Sequence, residues 1–138
     1  MADILKTDLR LVFLRPDQEA SIDLAQGANG LETVSGIDNL AQALTLRLLV
    51  DEGELAVLGH PRYGSRIREL LGATLDRANL ELMRRYVRKT LLSDPRVAEI
   101  IQIRVEARPA TPGIIDVQAV VKSVSGASTD IGVSLNAI

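Results

Sequence analysis

The sequence predicts an α+β domain in which an antiparallel C-terminal β-meander packs against two or three helices and short strands precede them. Three observations carry that prediction. Apolar residues recur at helical spacing at Ile37, Leu40, Ala41, Leu44 and Leu48. A longer helical stripe runs from about Asp76 to Leu92. Beyond Pro95 the pattern changes to alternation in three segments with short, turn-rich links, as in consecutive antiparallel strands. With 138 residues and 46% hydrophobic content, one domain is expected: a strand-and-turn segment (1–35), a helical part (36–93) and the meander (96–138).

Taken in order, Asp8–Leu14 is apolar and partly alternating, and Pro16 is expected to end it because proline lacks an amide donor. Ser21–Ala25 and Leu31–Ser35 bracket the turn-forming Gly27–Gly30, which suggests a hairpin. Asp38 is the expected N-cap of the first helix, and Gly53 its left-handed terminator. Glu54–Leu58 is expected as a short extended segment. Gly59–Gly64 then forms a loop, Ser65 caps a short helix from Arg66 to Leu71, and Gly72 closes it.

In the long helix, Leu75, Asn79, Leu82, Met83, Tyr86, Val87 and Leu91 form the inner stripe. Arg77, Glu81, Arg84, Arg85, Arg88 and Lys89 form the outer one. Pro95 stops the helix by forcing Asp94 out of helical geometry. In the meander, Val97, Ile101, Ile103 and Val105 are expected on one face. Ile115, Val117, Ala119 and Val121 share the next, and Ile131, Val133, Leu135 and Ala137 the last.

Composition excludes several kinds of chemistry. With no cysteine there is no disulfide, thiol nucleophile, zinc ribbon or iron–sulfur cluster, and a lone histidine, His60, cannot build a multi-histidine metal centre. No stretch approaches the roughly 20 apolar residues that span a bilayer, and no signal peptide opens the chain, so synthesis and folding in the cytoplasm are expected. The net charge of −2 argues against nucleic acid as the main partner. That total conceals a segregation. Residues 1–61 hold four basic and ten acidic side chains, 62–89 eight and three, and 90–138 four and five.

Candidate sites are few. His60 lacks a serine or cysteine nucleophile in a strand-to-helix elbow, so it reads as a loop histidine. Asp51, Glu52 and Glu54 could offer a carboxylate pair, but acids at a helix end before a glycine turn read as a solvated loop. Gly59–Gly64 has neither the lysine nor the glycine spacing of a phosphate loop. Arg62, Arg66 and Arg68 could hold an anion or pair with acids of the N-terminal third. The helix face of Arg77, Arg84, Arg85, Arg88 and Lys89 is more informative. It is either a solvated face or a docking surface for an acidic partner, and arginine is the cation enriched at protein interfaces. Ser93–Val97 places an acid and a guanidinium at a rigid corner suited to charge-assisted recognition.

The ordered features resemble a known family. They are Asn39–Leu44 leading to Arg47-Leu48-Leu49; Gly53-Glu54-Leu55; Pro61-Arg62-Tyr63-Gly64-Ser65 with Leu70 behind; and a basic helix ending in Asp94-Pro95-Arg96-Val97 before a meander. Over residues 36–138 this pattern is similar to the small baseplate wedge proteins of contractile-tailed phages, type VI secretion systems and phage-tail-like injection particles. The resemblance implies a non-enzymatic assembly subunit without a cofactor, in a six-fold symmetric particle. Its implied partners are larger wedge proteins, the sheath protein, and the tail hub or tube. The family's Glu-Pro-Arg signature, which docks the subunit on the core bundle of the wedge, falls on Asp94, Pro95 and Arg96, with Asp in place of Glu. Arg84, Arg85, Arg88 and Lys89, together with Tyr63, Gly64 and Ser65, complete the expected partner-binding set. The resemblance also implies that the sheet accepts strands from sheath subunits. A meander ending at Ile138 without a covering tail is expected to leave an edge open for that. Some members carry a lysozyme-like name, and the exposed-loop reading of Asp51, Glu52 and Glu54 gives that label no support.

Overall fold

The computed structural model describes residues 5–13, 22–28, 30–71 and 76–136, and these adopt an α+β arrangement. Near the N-terminus each of three chain segments divides its pairing between two partners. β1 (Thr7–Leu9) pairs antiparallel with β6 (Thr33–Ser35), β2 (Leu11–Phe13) with β3 (Ile22–Leu24), and β4 (Gln26–Gly27) with β5 (Gly30–Leu31). Where partners change, three backbone hydrogen bonds close a triangle. Arg10 N–H donates to the Glu32 carbonyl (2.9 Å), Glu32 N–H to that of Ala25 (3.0 Å), and Ala25 N–H to that of Arg10 (2.9 Å). The strand expected over Asp8–Leu14 is therefore two, broken at Arg10. The hairpin at Gly27–Gly30 is present, with Gly27 opposite Gly30. The expected stop at Pro16 lies outside the described residues, as do Ser21, Gly72, Leu75, Ala137 and Ile138.

Helix α1 spans Gly36–Leu49 and buries Leu40, Leu44 and Leu48. It begins two residues before Asp38. Gly36, at φ +63°, makes the turn out of β6 that a side chain would resist. Asp38 instead sits in the first turn, where its charge complements the helix N-terminus. The helix also ends before Gly53, because Val50 is drawn into an extended conformation. The Val50 carbonyl accepts from Ser65 N–H (2.8 Å), and Glu52 N–H donates to the Ser65 carbonyl (2.9 Å). Between these stitches the chain makes a tight loop. Glu54–Leu58, expected to be extended, is a turn followed by a 3-10 helix over Ala56–Leu58, and among the described residues no strand pairs with it. Val57 and Leu58 protrude, 93% and 70% exposed.

α2 (Arg68–Leu71) starts later than expected, and Ser65 does not cap it. The Ser65 hydroxyl donates to the Leu48 carbonyl (2.7 Å), satisfying an acceptor at the end of α1. α3 spans Arg77–Leu92, with Asp76 as N-cap accepting from Asn79 N–H at 2.8 Å. Met83, Val87, Thr90 and Leu91 face inward, and Arg77, Glu81, Arg84, Arg85, Arg88 and Lys89 are exposed as expected.

β7 (Val97–Ala107), β8 (Ile114–Ser123) and β9 (Ser128–Asn136) form the antiparallel meander in that order. α3 lies against β7 and α1 against β9, and one core joins both helices to the inner sheet face. On β8 and β9 the residues that the alternation predicts are buried, and Ile114 at the start of β8 is buried beside them. On β7 one is not: Ile101 is 55% exposed. Register shifts against β8 between Val97 and Glu99, and again between Ile100 and Gln102, insert Ala98 and Ile101 as bulge residues. Each changes the phase of the alternation, so Ile100 rather than Ile101 packs against the core.

Candidate functional site

The sequence-predicted residues separate into two places. Tyr63, Gly64, Ser65, Asp94, Pro95 and Arg96 belong to loops that meet beside α1, whereas Arg84, Arg85, Arg88 and Lys89 line the outer face of α3.

At the corner after α3, Asp94 does not project as expected. It is only 2% exposed, and Arg96 supplies its three hydrogen bonds. Oδ1 accepts from Arg96 N–H (2.9 Å) and Nε–H (3.0 Å), and Oδ2 from Nη2 (2.7 Å). The backbone bond reaches two residues ahead, the geometry in which a short aspartate side chain closes a turn on itself. Burial pushes the Asp94 carboxyl up, but the hydrogen bonds and charge of Arg96 outweigh it and hold the group below the usual carboxylate range. The same contact raises Arg96 further above its usual value. Asp94 thus fixes the guanidinium, and Arg96, with 20% of its side chain exposed, is the part that a partner can touch. Pro95 is exposed beside it.

Arg96 opens onto a groove of about 480 Å³ between α1 and the N-terminal strands, walled by Leu9, Leu11, Leu24 and Leu46. Arg47 enters the same groove from α1. Its guanidinium stacks 4.6 Å from the centroid of the Tyr63 ring, and its Nη1 donates to Ser93 Oγ at 3.1 Å. Burial, reinforced by Asp94, keeps the Tyr63 hydroxyl above its ordinary pKa despite Arg47 and Arg96. Asn39 anchors the N-terminal strands: its Nδ2 donates to the carbonyls of Leu5 (2.8 Å) and Lys6 (3.2 Å) and faces Asp8 Oδ2 (3.4 Å). Three oxygens around Nδ2 settle the orientation of the amide. Two buried atoms of groove residues, Asn39 Oδ1 and Arg47 Nε, have no hydrogen-bond partner among the described residues. A buried unpaired donor or acceptor is costly, so these two atoms mark a local weakness in the packing of the groove wall.

Gly64 and Ser65 are buried and act within the chain. Gly64 sits at φ +111°, and a Cβ on it would fall 2.5 Å from the Val50 carbonyl oxygen. The pair lies below the surface and positions Tyr63 over Arg47.

Sequence reasoning missed Arg47 and Asn39 as site residues. The available signal was the breadth of the apolar face of α1. Ala43 and Leu46 extend it well beyond the row of Leu40, Leu44 and Leu48 that one sheet contact requires.

On the outer face of α3, Arg77, Arg85, Arg88 and Lys89 form no ion pair with described residues, and Arg84 reaches Glu81 only at 4.0 Å. Arg66 and Arg68, by contrast, are paired with Glu69 (2.9 Å) and Asp51 (3.2 Å). Among the described residues no group of three or more His, Cys, Asp or Glu side chains is arranged to hold a metal ion, and no helix is long and apolar enough to cross a membrane.

No protein-family model matches the chain, and no curated protein sequence matches it. Among solved structures, a protein from Geobacter sulfurreducens described as a "putative tail lysozyme" has a similar fold, with a TM-score of 0.66 and 18% sequence identity. The match covers 75% of this chain and 92% of that one. At that identity the likeness is one of fold.

Proposed function

We propose that this chain is a structural wedge subunit of a contractile injection machine, a phage tail or tail-like particle. In this reading it docks on the core bundle of the wedge and templates the first sheath ring by strand addition. The observation that carries it is the corner. A buried carboxylate, Asp94, spends its hydrogen bonds on presenting one guanidinium at the mouth of a leucine-walled groove. An arginine held rigidly by its own chain loses little entropy on binding, which is how a docking contact gains strength. The unpaired cations of α3 add a second, electrostatic contact for an acidic partner. The name of the structural neighbour points to the same kind of particle.

A muramidase is the alternative, and the carboxyl chemistry favours the structural reading. Glycoside hydrolysis calls for an acid with a raised pKa. Among the described residues, Asp94 and Asp116 are both held low, and Glu52 and Glu54 are exposed.

The test must respect the corner. Arg96→Ala alone would strand the buried Asp94 carboxylate and destabilise the monomer. The double variant Asp94→Asn/Arg96→Gln keeps a neutral hydrogen-bonded pair in its place. It is expected to fold and to abolish assembly of contractile particles seen by electron microscopy. Normal particles from this variant would remove the corner from docking. Turnover of peptidoglycan by the purified protein, lost in Glu52→Ala or Glu54→Ala, would replace the structural reading with the enzymatic one.

A further inference from the structure

The loop that leaves α1 displays two adjacent aliphatic side chains at its tip. Val57 and Leu58 stand almost bare in solvent, yet the loop beneath them is fixed by its own backbone. Glu54 N–H donates to the Asp51 carbonyl (3.0 Å), Leu58 N–H and His60 N–H both donate to that of Leu55 (3.0 Å each), and Gly59 N–H donates to that of Ala56 (3.1 Å). An apolar pair on a loop that is already ordered has the makings of an interface anchor, because it leaves water on binding and loses little further freedom. Charges of both signs flank the tip. Glu52 precedes it and Arg62 follows it, both exposed and in no ion pair with described residues.

The groove beside α1 has the opposite relief. Its leucine walls are open to solvent, with Leu9 and Leu24 among the exposed large side chains, and its volume is about 480 Å³. It too carries one charge of each sign outside any ion pair with described residues. These are Arg47, stacked on Tyr63, and Asp8, which faces the Asn39 amide. Tyr63 belongs to the same loop as the tip and lines the groove, so the two features adjoin. The tip does not fill its own groove, since Val57 and Leu58 are both exposed.

We infer that the groove of the free protein receives the Val57–Leu58 tip of a second copy, and that two copies exchange tips about a twofold axis. Glu52 of one copy then lies toward Arg47 of the other, and Arg62 toward Asp8, so apolar relief and charge match together. Reciprocal exchange closes the assembly at two copies. The pairing goes beyond the proposed function and stands without it. One consequence does rest on that reading: tip and wedge compete for a single groove, so pairing keeps the docking site of unassembled chains covered.

Sedimentation equilibrium of the full chain tests the pairing, with a reversible monomer–dimer equilibrium expected. Leu58→Asp is expected to weaken association at least about a hundredfold with unchanged Tm. Val57→Asp is a second tip variant should the first not fold. Leu9→Asp, on the groove wall, is expected to weaken association to a similar degree. Mixing the Leu58→Asp and Leu9→Asp proteins restores one of the two tip-in-groove contacts, so the mixture is expected to form more dimer than either variant alone. Ile101→Asp, an exposed apolar position on β7, is expected to associate as wild type. A wild-type chain that stays monomeric would overturn the inference. So would a dimer indifferent to Leu58→Asp, a mixture no better than its components, or association that continues past the dimer. None of these measurements involves a particle. A monomeric wild type therefore leaves wedge docking untouched, and normal particles from Asp94→Asn/Arg96→Gln would remove the docking and leave the pairing standing.

Discussion

Asp94 shows how a single methylene bears on a site. An aspartate carboxylate reaches the backbone N–H two residues ahead and the guanidinium of the same residue together. The resemblance would set Asp94 where the family it points to carries a longer acid, and the structure makes it a buried holder of Arg96. Its folded pKa is depressed, so its contribution to stability is present above the unfolded value of about 3.9 and is lost as pH falls through the folded one. Asp116, held low by hydrogen bonds from Arg108 and Ser134, acts in the same direction. Stability measured by urea unfolding is therefore expected to fall below about pH 4. Asp94→Asn should cost about 1–2 kcal/mol at neutral pH and flatten that acid limb. Gly64→Ala is expected to cost more, about 3 kcal/mol, because it combines a left-handed φ with a Cβ 2.5 Å from the Val50 oxygen. A rise in the denaturation midpoint of either variant would contradict these assignments. The sequence presents Gly64 as one glycine among ten. Only the approach of Val50 makes it irreplaceable.

At the scale of elements, α3 was the most legible. Its amphipathic stripe, its start near Asp76 and its stop near Pro95 are all local properties, and the structure reproduces them. Its outer face holds like charges at Arg84 and Arg88, at Arg85 and Lys89, and at Arg85 and Arg88, spacings at which cations repel. Arg85→Glu/Arg88→Glu is expected to leave the unfolding free energy within about 0.5 kcal/mol of wild type while weakening binding of an acidic wedge partner. A large loss of stability would show these arginines to be structural. The ends of α1 and the fate of Glu54–Leu58 were less legible. Val50 leaves the helix to pair with Ser65, fifteen positions on, and no local pattern announces such a pairing. The bulges of β7 are of the same kind. Ile101 fits the alternation in sequence, and only its register against β8 turns it outward.

At the scale of the whole molecule, two helices cover one face of a three-stranded sheet, and the N-terminal strands are tied to α1 chiefly through polar groups. Asn39 holds the Leu5 and Lys6 carbonyls, while Gln42 accepts from Leu11 N–H (2.8 Å) and donates to the Leu9 carbonyl (2.9 Å). Two-stranded pieces are marginal alone, so amide protection in β2–β5 is expected to be lost well before that of β8. Asn39→Ala should hasten exchange across β1 and β6 and leave β8 unchanged. Equal hastening of exchange in β1, β6 and β8 would make them one cooperative unit. The sequence by itself determined the fold class, the long helix with its cationic face, and the inward residues of β8 and β9, because each follows from the period of apolar residues along one stretch of chain. The tertiary structure alone decided that Asp94 is buried, that Arg47 and Tyr63 meet beside Arg96, and that β9 rather than β7 keeps a regular edge. Those outcomes depend on hydrogen bonds and register between segments far apart in sequence, and a one-dimensional pattern contains no term for them.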